Sequence, residues 1–371
     1  MKRIVVFGIG RMGTAISYAM SKLGYYVIGV DTSNEAAQNF RKQIPDGDKG
    51  IFYNCDTEDY ENLLVRFESP EVVISSLPYH QNQPLAEFCI DNGVRYCDLG
   101  GRVDVSENIN QYALDHAEKP TMTDLGLAPG WVNILAEEGY RRLHGEADKV
   151  SVKMMVGGLP SFLKSDKNPL RYGITWSLDG LINEYRDDCV ILEGGSIKTV
   201  KGMDGLELVE TDSLGQLEAF YTSGGASHSI SSMKARGVED CSYKTLRYRG
   251  HRDIVRFLIR DCGLDDDTLN KIFVDGCGFV DDDEVIVLAN VKKDDKTWAK
   301  EKLIRSDKSF SAMQKATAFP ISSVAALLAE GVFDGDKPQG KDHYAQYPRS
   351  LSYRDIPYDF FNTNLNKLLG E

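Results

Sequence analysis

The chain has 371 residues, 42% of them hydrophobic and 27% charged, and a formal net charge of −13 at pH 7. This length predicts two domains, and the acidic balance argues against nucleic acid or an anionic membrane surface as a partner. The 7 cysteines lack CxxC spacing and no apolar run is long enough to span a bilayer, so the sequence predicts no disulfide framework, no zinc site and no membrane helix.

The first 31 residues predict a strand, a glycine-rich turn, a helix and a second strand that ends in an acid. In the turn, Gly8 permits the tight bend, Gly10 lets the backbone approach a pyrophosphate, and Gly13 lets the helix pack closely. A carboxylate at Asp31 accepts hydrogen bonds from ribose hydroxyls and repels a 2′-phosphate, which favours NAD over NADP. The complete context indicates a dinucleotide site; the alternative is a Rossmann-like domain that has lost its cofactor.

Strands predicted near 50–54, 72–76, 94–97 and 120–123 alternate with helices, as in a doubly wound parallel sheet. Ligands of such sheets bind beyond the carboxyl ends of the strands. Asp56 is placed to meet adenine, or equally to cap the next helix. The predicted cofactor contacts are Gly8, Gly10, Arg11, Met12, Gly13, Asp31, Thr32, Asp56, Ser75, Ser76, Leu77, Pro78 and Gly100.

The pattern changes from about residue 149 and predicts an α+β domain on a mostly antiparallel sheet. Val150–Val156 alternates and then breaks at Gly157–Pro160. Because a flat face of such a sheet often pairs with a second subunit, we expect a homodimer or a higher homo-oligomer. Further strand-like stretches lie at 188–192, 196–200, 284–291 and 302–305.

A helix over Ser309–Glu330, which Pro320 should start or kink, is expected to return to the first domain. The polar tail from Lys337 to Arg354 is predicted to be irregular, and Tyr358–Leu369 to form a short closing helix. We therefore predict an NAD-binding domain at 1–125 and 311–371, and a substrate and dimerisation domain at 126–310. The first strand begins at Arg3, which leaves no room for a signal peptide and favours the cytoplasm.

Six segments in a fixed order resemble the saccharopine dehydrogenase-like family, and specifically its lysine 6-dehydrogenase branch. The resemblance covers about residues 1–330, and the tail beyond Val332 lacks the Pro-Pro-Glu stretch usual there. The segments are Asp98–Gly101, Asp124–Gly130, Gly157–Pro160, Ser177–Tyr185, Leu217–Gly225 and Tyr243–His251.

The resemblance implies NAD-dependent oxidation of a carbon that bears an amine, most simply the deamination of the ε-carbon of L-lysine to the semialdehyde. One alternative is a saccharopine or carboxyalkyl-polyamine dehydrogenase, which needs a second cationic site that the sequence does not show cleanly. Another is a non-catalytic NAD-binding sensor, against which the retention of Lys244, Arg247 and His251 weighs. No metal is required, because the nicotinamide takes the electrons.

Hydride leaves such a carbon only when the nitrogen lone pair is free, so the site needs a base for the amine and a cation for a carboxylate. Arg247 suits the carboxylate, and His251 can accept a proton near neutral pH. Lys244 can hold the carboxylate, or act as the base if burial lowers its pKa. Strand alternation places Arg247 and His251 on one wall and Lys244 opposite; the alternative is a surface-charged strand.

Four further residues are predicted near the substrate. Asp98 is placed to hold the substrate amine or to orient the nicotinamide ribose, and it is equally suited to capping a turn. Tyr79 is placed to reach the substrate. Thr222 and Ser223 offer hydroxyls to a carboxylate, in a segment that is also common as a plain turn.

Overall fold

The computed structural model describes residues 1–44, 49–55, 70–143, 149–161, 168–339 and 343–371. Its chain divides into two compact units. The first unit comprises Met1–Trp131 and Thr317–Glu371, and the second comprises Val132–Ala316. Within the described ranges, none of the helices is long and apolar enough to cross a membrane.

The first unit is built on a six-stranded parallel sheet with helices packed against it. Its strands are β1 (Arg3–Phe7), β2 (Tyr26–Asp31), β3 (Gly50–Asn54), β4 (Val72–Ser75), β5 (Arg95–Asp98) and β6 (Thr121–Met122). Between them lie the helices α1 (Arg11–Leu23), α2 (Asn34–Gln43), α3 (Asn82–Asp91) and α4 (Val103–His116) and a 3₁₀ turn (Tyr79–Gln81). The predicted doubly wound sheet is confirmed.

The strand order of this sheet is β3-β2-β1-β4-β5-β6. The chain moves outward from β1 to β3 and then crosses back to β4, which pairs with the other side of β1. The connections that follow β1 and β4 therefore lead in opposite directions. The crevice between the carboxyl ends of these two strands is where open parallel sheets bind ligands. Val5 and Phe7 of β1 and Val73 of β4 are wholly buried, so the two strands beside the crevice are held in the hydrophobic core of the unit.

The second unit carries an eight-stranded mixed sheet. Its strands are β7 (Val150–Pro160), β8 (Asp188–Glu193), β9 (Ser196–Lys201), β10 (Glu207–Thr211), β11 (Gly215–Tyr221), β12 (Asp240–Arg247), β13 (Asp283–Lys293) and β14 (Lys296–Arg305). Its helices are α5 (Trp131–Leu143), which starts at the unit boundary, α6 (Leu178–Arg186), α7 (Ser229–Ala235), α8 (His251–Arg256), which continues into a π-helical turn (Phe257–Asp261), and α9 (Asp266–Gly276).

Six of these strands run in the order β10-β11-β12-β7-β13-β14, and β8 joins β12 to β9. The neighbours are antiparallel except β12 and β7, which are parallel. The mostly antiparallel sheet is therefore confirmed. The predicted break at Gly157 is wrong, because β7 continues to Pro160. A side chain at Gly157 would lie 2.9 Å from the carbonyl oxygen of Leu246, so this glycine permits close strand packing.

The sheet of the second unit curls around an apolar cluster that includes Met155, Leu246 and Ile286. Glu301 on the edge strand β14 accepts hydrogen bonds of 3.0 Å from the backbone N–H groups of Asp212 and Ser213, in the turn between β10 and β11. Strands at opposite ends of the six-strand run are thus linked. A second apolar cluster joins Phe220 of β11 to buried residues of α6, α8 and α9.

The chain then forms α10 (Ala312–Ala329), β15 (Asp336–Gln339), β16 (His343–Gln346), a 3₁₀ turn (Tyr353–Asp355) and α11 (Tyr358–Leu369). Pro320 lies inside α10 and does not start it. The helix begins where the carboxylate of Asp283 accepts hydrogen bonds from the N–H groups of Ala312 and Met313. The tail is less irregular than predicted, because β15 and β16 pair, whereas the closing helix is confirmed.

Candidate functional site

The glycine-rich turn of the first unit is shaped by the approach of α1 to β1. Gly8 has a φ of 81°, in the left-handed region that favours glycine. A side-chain carbon at Gly13 would lie 1.8 Å from the carbonyl oxygen of Gly8, so only glycine lets the helix pack there. At Gly10 the same carbon would meet none of the described residues within 4 Å, and none of their side chains caps the helix. The turn therefore offers open space at a helix N-terminus, which suits a phosphate.

The carboxylate of Asp31 is tied to this turn. It accepts a hydrogen bond of 2.7 Å from the backbone N–H of Ile9 and one of 2.8 Å from that of Ser33. Each oxygen can accept a further hydrogen bond, because a carboxylate has about four acceptor sites. Asp31 is thus held at the end of β2 and can receive ribose hydroxyls. The sequence indicated the acid but not its contact with the turn.

The end of β4 lies against the same turn. A side chain at Gly8 would come within 2.7 Å of the carbonyl oxygen of Ser76. The hydroxyl of Ser75 is buried and donates to the side-chain oxygen of Asn82 at 2.7 Å, so it supports the loop from behind. Contacts of Ser76, Leu77 and Pro78 with a cofactor stay predictions, as do those of Arg11, Met12 and Thr32. Asp56 lies outside the described residues.

Asp98 is wholly buried, and its carboxylate is used within the loop that follows β5. One oxygen accepts from the backbone N–H of Gly100 at 2.8 Å and from that of Asp124 at 3.1 Å. The other accepts from the hydroxyl of Tyr96 at 3.0 Å. Burial, together with the charge of Asp124, raises the pKa of Asp98 to about 7. This geometry supports the turn-capping alternative rather than a contact with substrate.

Gly100 is explained by the same loop. A side chain there would lie 2.2 Å from a carboxylate oxygen of Asp124. Asp124 itself has a φ of 62°, uncommon outside glycine. It is held by hydrogen bonds to its side chain from the hydroxyl of Ser106 at 2.7 Å and to its carbonyl from Tyr353 at 2.9 Å. The two acids and Gly100 therefore fix the backbone beyond β5 and β6.

Tyr79 lies in the 3₁₀ turn after β4 with 43% of its surface exposed. The guanidinium of Arg102 lies 5.8 Å from the centre of its ring. The ring is therefore presented at the surface of the first unit. Its contact with a substrate stays a prediction.

Arg247 is the last residue of β12 and is only 3% exposed. Its Nε donates to the hydroxyl of Tyr185 at 2.9 Å, and its Nη1 donates to the carbonyl of Leu246, also at 2.9 Å. The guanidinium lies 4.7 Å from the ring centre of Tyr172 and 5.8 Å from that of Tyr185. Over the described ranges of the chain, no carboxylate forms an ion pair with it. A buried cation without a counter-ion is costly, so this arrangement indicates a binding site for an anion.

His251 lies beside Arg247 but not on the strand, because it starts α8. It is fully buried, with Nδ1 2.7 Å from the carbonyl of Leu170 and Nε2 3.0 Å from the hydroxyl of Tyr185. Nδ1 must therefore carry the proton, and Nε2 accepts from Tyr185, whose oxygen accepts from Arg247. Burial, together with the charge of Arg247, lowers the pKa of His251 to about 3.

The geometry around His251 corrects the role suggested by the sequence. Both ring nitrogens are engaged and the ring is neutral, so it does not suit a proton acceptor at neutral pH. It orients the hydroxyl of Tyr185, which in turn orients Arg247. The predicted proximity of Arg247 and His251 is present, through Tyr185 rather than through strand alternation.

Lys244 points away from this group. Its ammonium donates to the carboxylate of Glu207 at 2.7 Å and to the carbonyl of Gly205, and it lies 4.7 Å from the ring centre of Tyr221. Glu207 also pairs with Lys153 at 2.9 Å. Burial lowers the pKa of Lys244, and the hydrogen bond with Glu207 opposes this. Lys244 thus points away from Arg247, as strand alternation predicted. Its ion pair with Glu207 gives it a structural role instead of the predicted role of carboxylate ligand or base.

Thr222 and Ser223 also serve the fold. The buried hydroxyl of Thr222 shares a hydrogen bond of 2.8 Å with that of Thr245 on β12. The backbone N–H of Ser223 donates to the carbonyl of Glu184 at 3.1 Å. These bonds attach the end of β11 to β12 and to α6. A substrate contact of either hydroxyl stays a prediction.

The sequence did not point to Glu184, which is partly buried and lies third from the end of α6. Burial raises the pKa of Glu184 to about 8, and the charge of Arg247 opposes the rise. Sequence reasoning also missed the contacts of Tyr172 and Tyr185 with Arg247. Glu184 lies three residues after buried Leu181, on the same helical face, so an acid at the edge of an apolar stripe was the available signal.

The described residues include no cluster of histidine, cysteine, aspartate or glutamate that could hold a metal ion. The fold and the glycine turn place the first unit among dinucleotide-binding Rossmann domains. Residues 4–123 match the family model described as "Saccharopine dehydrogenase NADP binding domain". Residues 126–341 match that described as "Saccharopine dehydrogenase C-terminal domain". The chain belongs to the saccharopine dehydrogenase family, and its first domain is an NAD(P)-binding domain.

Similar proteins agree with this assignment. The chain is 24% identical over 219 residues to "Saccharopine dehydrogenase [NADP(+), L-glutamate-forming]" of Schizosaccharomyces pombe. The aligned region covers 58% of this chain and 48% of that protein. It is 26% identical over 204 residues to the mitochondrial "Alpha-aminoadipic semialdehyde synthase" of Rattus norvegicus, covering 54% of this chain and 21% of that protein. The chain thus spans about half or less of these relatives.

The fold is similar to that of a solved structure, "Apo histidine-tagged saccharopine dehydrogenase (L-Glu forming) from Saccharomyces cerevisiae". The TM-score is 0.73 at 18% identity, and the superposition covers 100% of this chain and 98% of the other. This likeness supports the architecture of both units.

Two alanine substitutions test the glycine turn. We expect Gly13→Ala to destabilise the first unit, because its side chain would overlap the carbonyl of Gly8. Gly10→Ala should fold with nearly normal stability, since its side chain meets nothing, but should weaken NADH binding by at least about tenfold. Urea unfolding and calorimetric titration with NADH measure the two effects. Normal NADH affinity in Gly10→Ala would show that the pyrophosphate lies elsewhere.

Asp98→Asn should change how stability depends on pH. The amide keeps an oxygen for Gly100 and Asp124 and cannot ionise. In the wild type the pKa is raised from 3.8 to about 7, so the folded carboxyl keeps a proton that the unfolded chain loses. Wild-type stability should therefore fall relative to the variant as pH rises from about 4 to about 7, and the difference should stay constant above that. A difference in unfolding free energy that is flat across this range would contradict the assignment.

Proposed function

We propose that the chain is an NAD-dependent oxidoreductase that oxidises a carbon bearing an amine, with the ε-amine of L-lysine as the favoured substrate. The observation that carries the proposal is the buried guanidinium of Arg247, which lies near two tyrosine rings and forms no ion pair with a carboxylate in the described part of the second unit. A substrate carboxylate would supply the missing counter-ion. Family membership connects this anion site with amino-acid chemistry.

A second candidate, a saccharopine-type dehydrogenase, is favoured by the activity for which the similar yeast proteins are named. Such a substrate carries additional carboxylates and needs additional cations. Arg247 matches one carboxylate, and Lys244 is already paired with Glu207. This contrast favours the lysine-type substrate.

The coenzyme preference is proposed from Asp31. The family model and the yeast relatives carry NADP in their names, whereas this chain places a carboxylate at the end of β2 and holds it with two backbone N–H groups. Two negative groups repel at close range, so a 2′-phosphate would be disfavoured there. We propose NAD as the preferred coenzyme.

The residues present fit this coenzyme. When bound, it supplies a nicotinamide ring that accepts hydride. The open space at Gly10 fits the pyrophosphate, and Asp31 is placed for the adenosine ribose. Arg247 would bind and orient the substrate carboxylate, and the tyrosine rings around it would limit the access of water.

Three further proposals come from the sequence alone. We propose that 1–125 with 311–371 binds the coenzyme, while 126–310 binds the substrate and forms a homodimer. We also propose a cytoplasmic location.

Asp31→Ala should weaken NAD binding and relax the exclusion of NADP, so that the ratio of the two affinities falls by about tenfold or more. Asp31→Asn is the matched variant, since it keeps the size of the side chain and one acceptor oxygen while it removes the charge, and it should also relax the exclusion of NADP. Calorimetric titration with both coenzymes measures the ratio. An unchanged ratio in both variants would contradict the assignment of Asp31.

An NADH-absorbance screen tests the reaction. With NAD, we expect L-lysine to give the highest kcat/KM among lysine, ornithine, saccharopine and polyamines, because its single carboxylate matches Arg247. A preference for saccharopine would replace the favoured substrate with the second candidate. A flat trace with every amine, in protein that binds NADH, would support the NAD-binding sensor.

A further inference from the structure

We propose that Glu184 is a specificity-determining carboxylate of the Arg247 site, where it binds the ammonium group of a substrate whose carboxylate lies on Arg247. The inference deepens the proposed function and rests on it. It assigns to the second unit a site for the zwitterionic head of an α-amino acid, in which each charged group of the ligand has its own opposite charge.

The first observation is that Arg247 and Glu184 attract each other but do not touch. The charge of each acts on the other, yet in the described ranges they form neither a hydrogen bond nor an ion pair. A buried cation and a nearby acid normally close into a pair, because each then lowers the desolvation cost of the other. A pair that stays open leaves room for a ligand with both charges.

The second observation is a buried hydroxyl on the ring that contacts Arg247. The guanidinium lies 4.7 Å from the ring centre of Tyr172, and the Tyr172 hydroxyl forms no hydrogen bond of ordinary length in the part of the chain that the structure describes. The side chains of Thr175 and Trp176 lie near this hydroxyl, and the hydroxyl of Thr175, 1% exposed, also lacks a hydrogen bond of ordinary length. Buried polar atoms usually have closer partners, so a polar ligand at Arg247 would supply one for Tyr172.

The third observation is that the neighbouring acids of the second unit are already occupied. Glu207 binds Lys244 and Lys153. Glu218 accepts from the backbone N–H groups of Gly250 and Arg252, at the start of α8. Glu184 has no such partner among the described residues, which leaves it able to receive an ammonium group. Because burial raises the pKa of Glu184 to about 8, the free protein holds this carboxyl protonated at neutral pH, and an ammonium group that binds there would displace the proton.

The position of Glu184 is also well defined. Its own carbonyl accepts from the N–H of Ser223, and the next residue, Tyr185, is fixed by hydrogen bonds to Arg247 and His251. The same tyrosine thus sets both the helix that carries the acid and the orientation of the guanidinium. The acid and the cation are presented together, as recognition of a zwitterion requires.

Binding of unreactive ligands tests the proposal separately from the reaction. L-Norleucine has the head group of lysine without the ε-amine, and hexanoate lacks the α-amine as well. In NADH-saturated wild-type protein, norleucine should bind at least about tenfold tighter than hexanoate. Glu184→Gln should lose this difference while it keeps its affinity for hexanoate. Asp187→Asn, which removes an exposed charge just beyond α6, is the matched control and should behave as wild type.

Three results would overturn the proposal. They are equal binding of norleucine and hexanoate by the wild type, wild-type affinity for norleucine in Glu184→Gln, and an equal loss of both ligands in that variant. The wild-type comparison applies even if Glu184→Gln does not fold. Failure of the proposed function looks different: the predicted binding pattern would appear without oxidation of any amine. If the wild type oxidised lysine and Glu184→Gln bound norleucine as the wild type does, the proposed function would stand and the role proposed for Glu184 would be rejected.

Discussion

The constraint on which the first unit depends is the contact between Gly13 and the carbonyl of Gly8. A single added carbon at Gly13 would lie 1.8 Å from that oxygen, so α1 can pack on β1 only because residue 13 is glycine. The N-terminus of α1 follows the turn at the carboxyl end of β1, and the space at Gly10 is open among the described residues. The carboxylate of Asp31 joins the turn through Ile9. This close packing therefore brings together the open helix N-terminus and the acid, on which the proposed phosphate and ribose contacts rest.

The candidate site of the second unit depends on electrostatics. Arg247 is buried near two tyrosine rings, and its orientation is set by a series of hydrogen bonds through Tyr185 and His251 to the carbonyl of Leu170. A neutral histidine in this series keeps the guanidinium as the only positive charge of the group. The free protein thus holds a charge that a substrate carboxylate can neutralise, and part of the burial cost is met at folding rather than at binding.

Local patterns predicted the fold well because they are set by neighbouring residues: the strand, turn and acid around Gly8–Gly13 were read directly from spacing. The site in the second unit was predicted less well, since its contacts join distant residues. Strand alternation was extended from Arg247 to His251, but Gly250, with a φ of 94°, turns the chain into α8. Lys244 has a partner 37 residues away in Glu207, which spacing cannot show.

The most direct test of the central claim, that electrons from a C–N bond pass to a nicotinamide held at the glycine turn, is a crystal structure of the full chain grown with saturating NAD. We expect the pyrophosphate against the backbone at Gly10 and the adenosine ribose hydroxyls on the carboxylate of Asp31. An empty turn at that concentration, or a coenzyme whose ribose lies away from Asp31, would contradict the account.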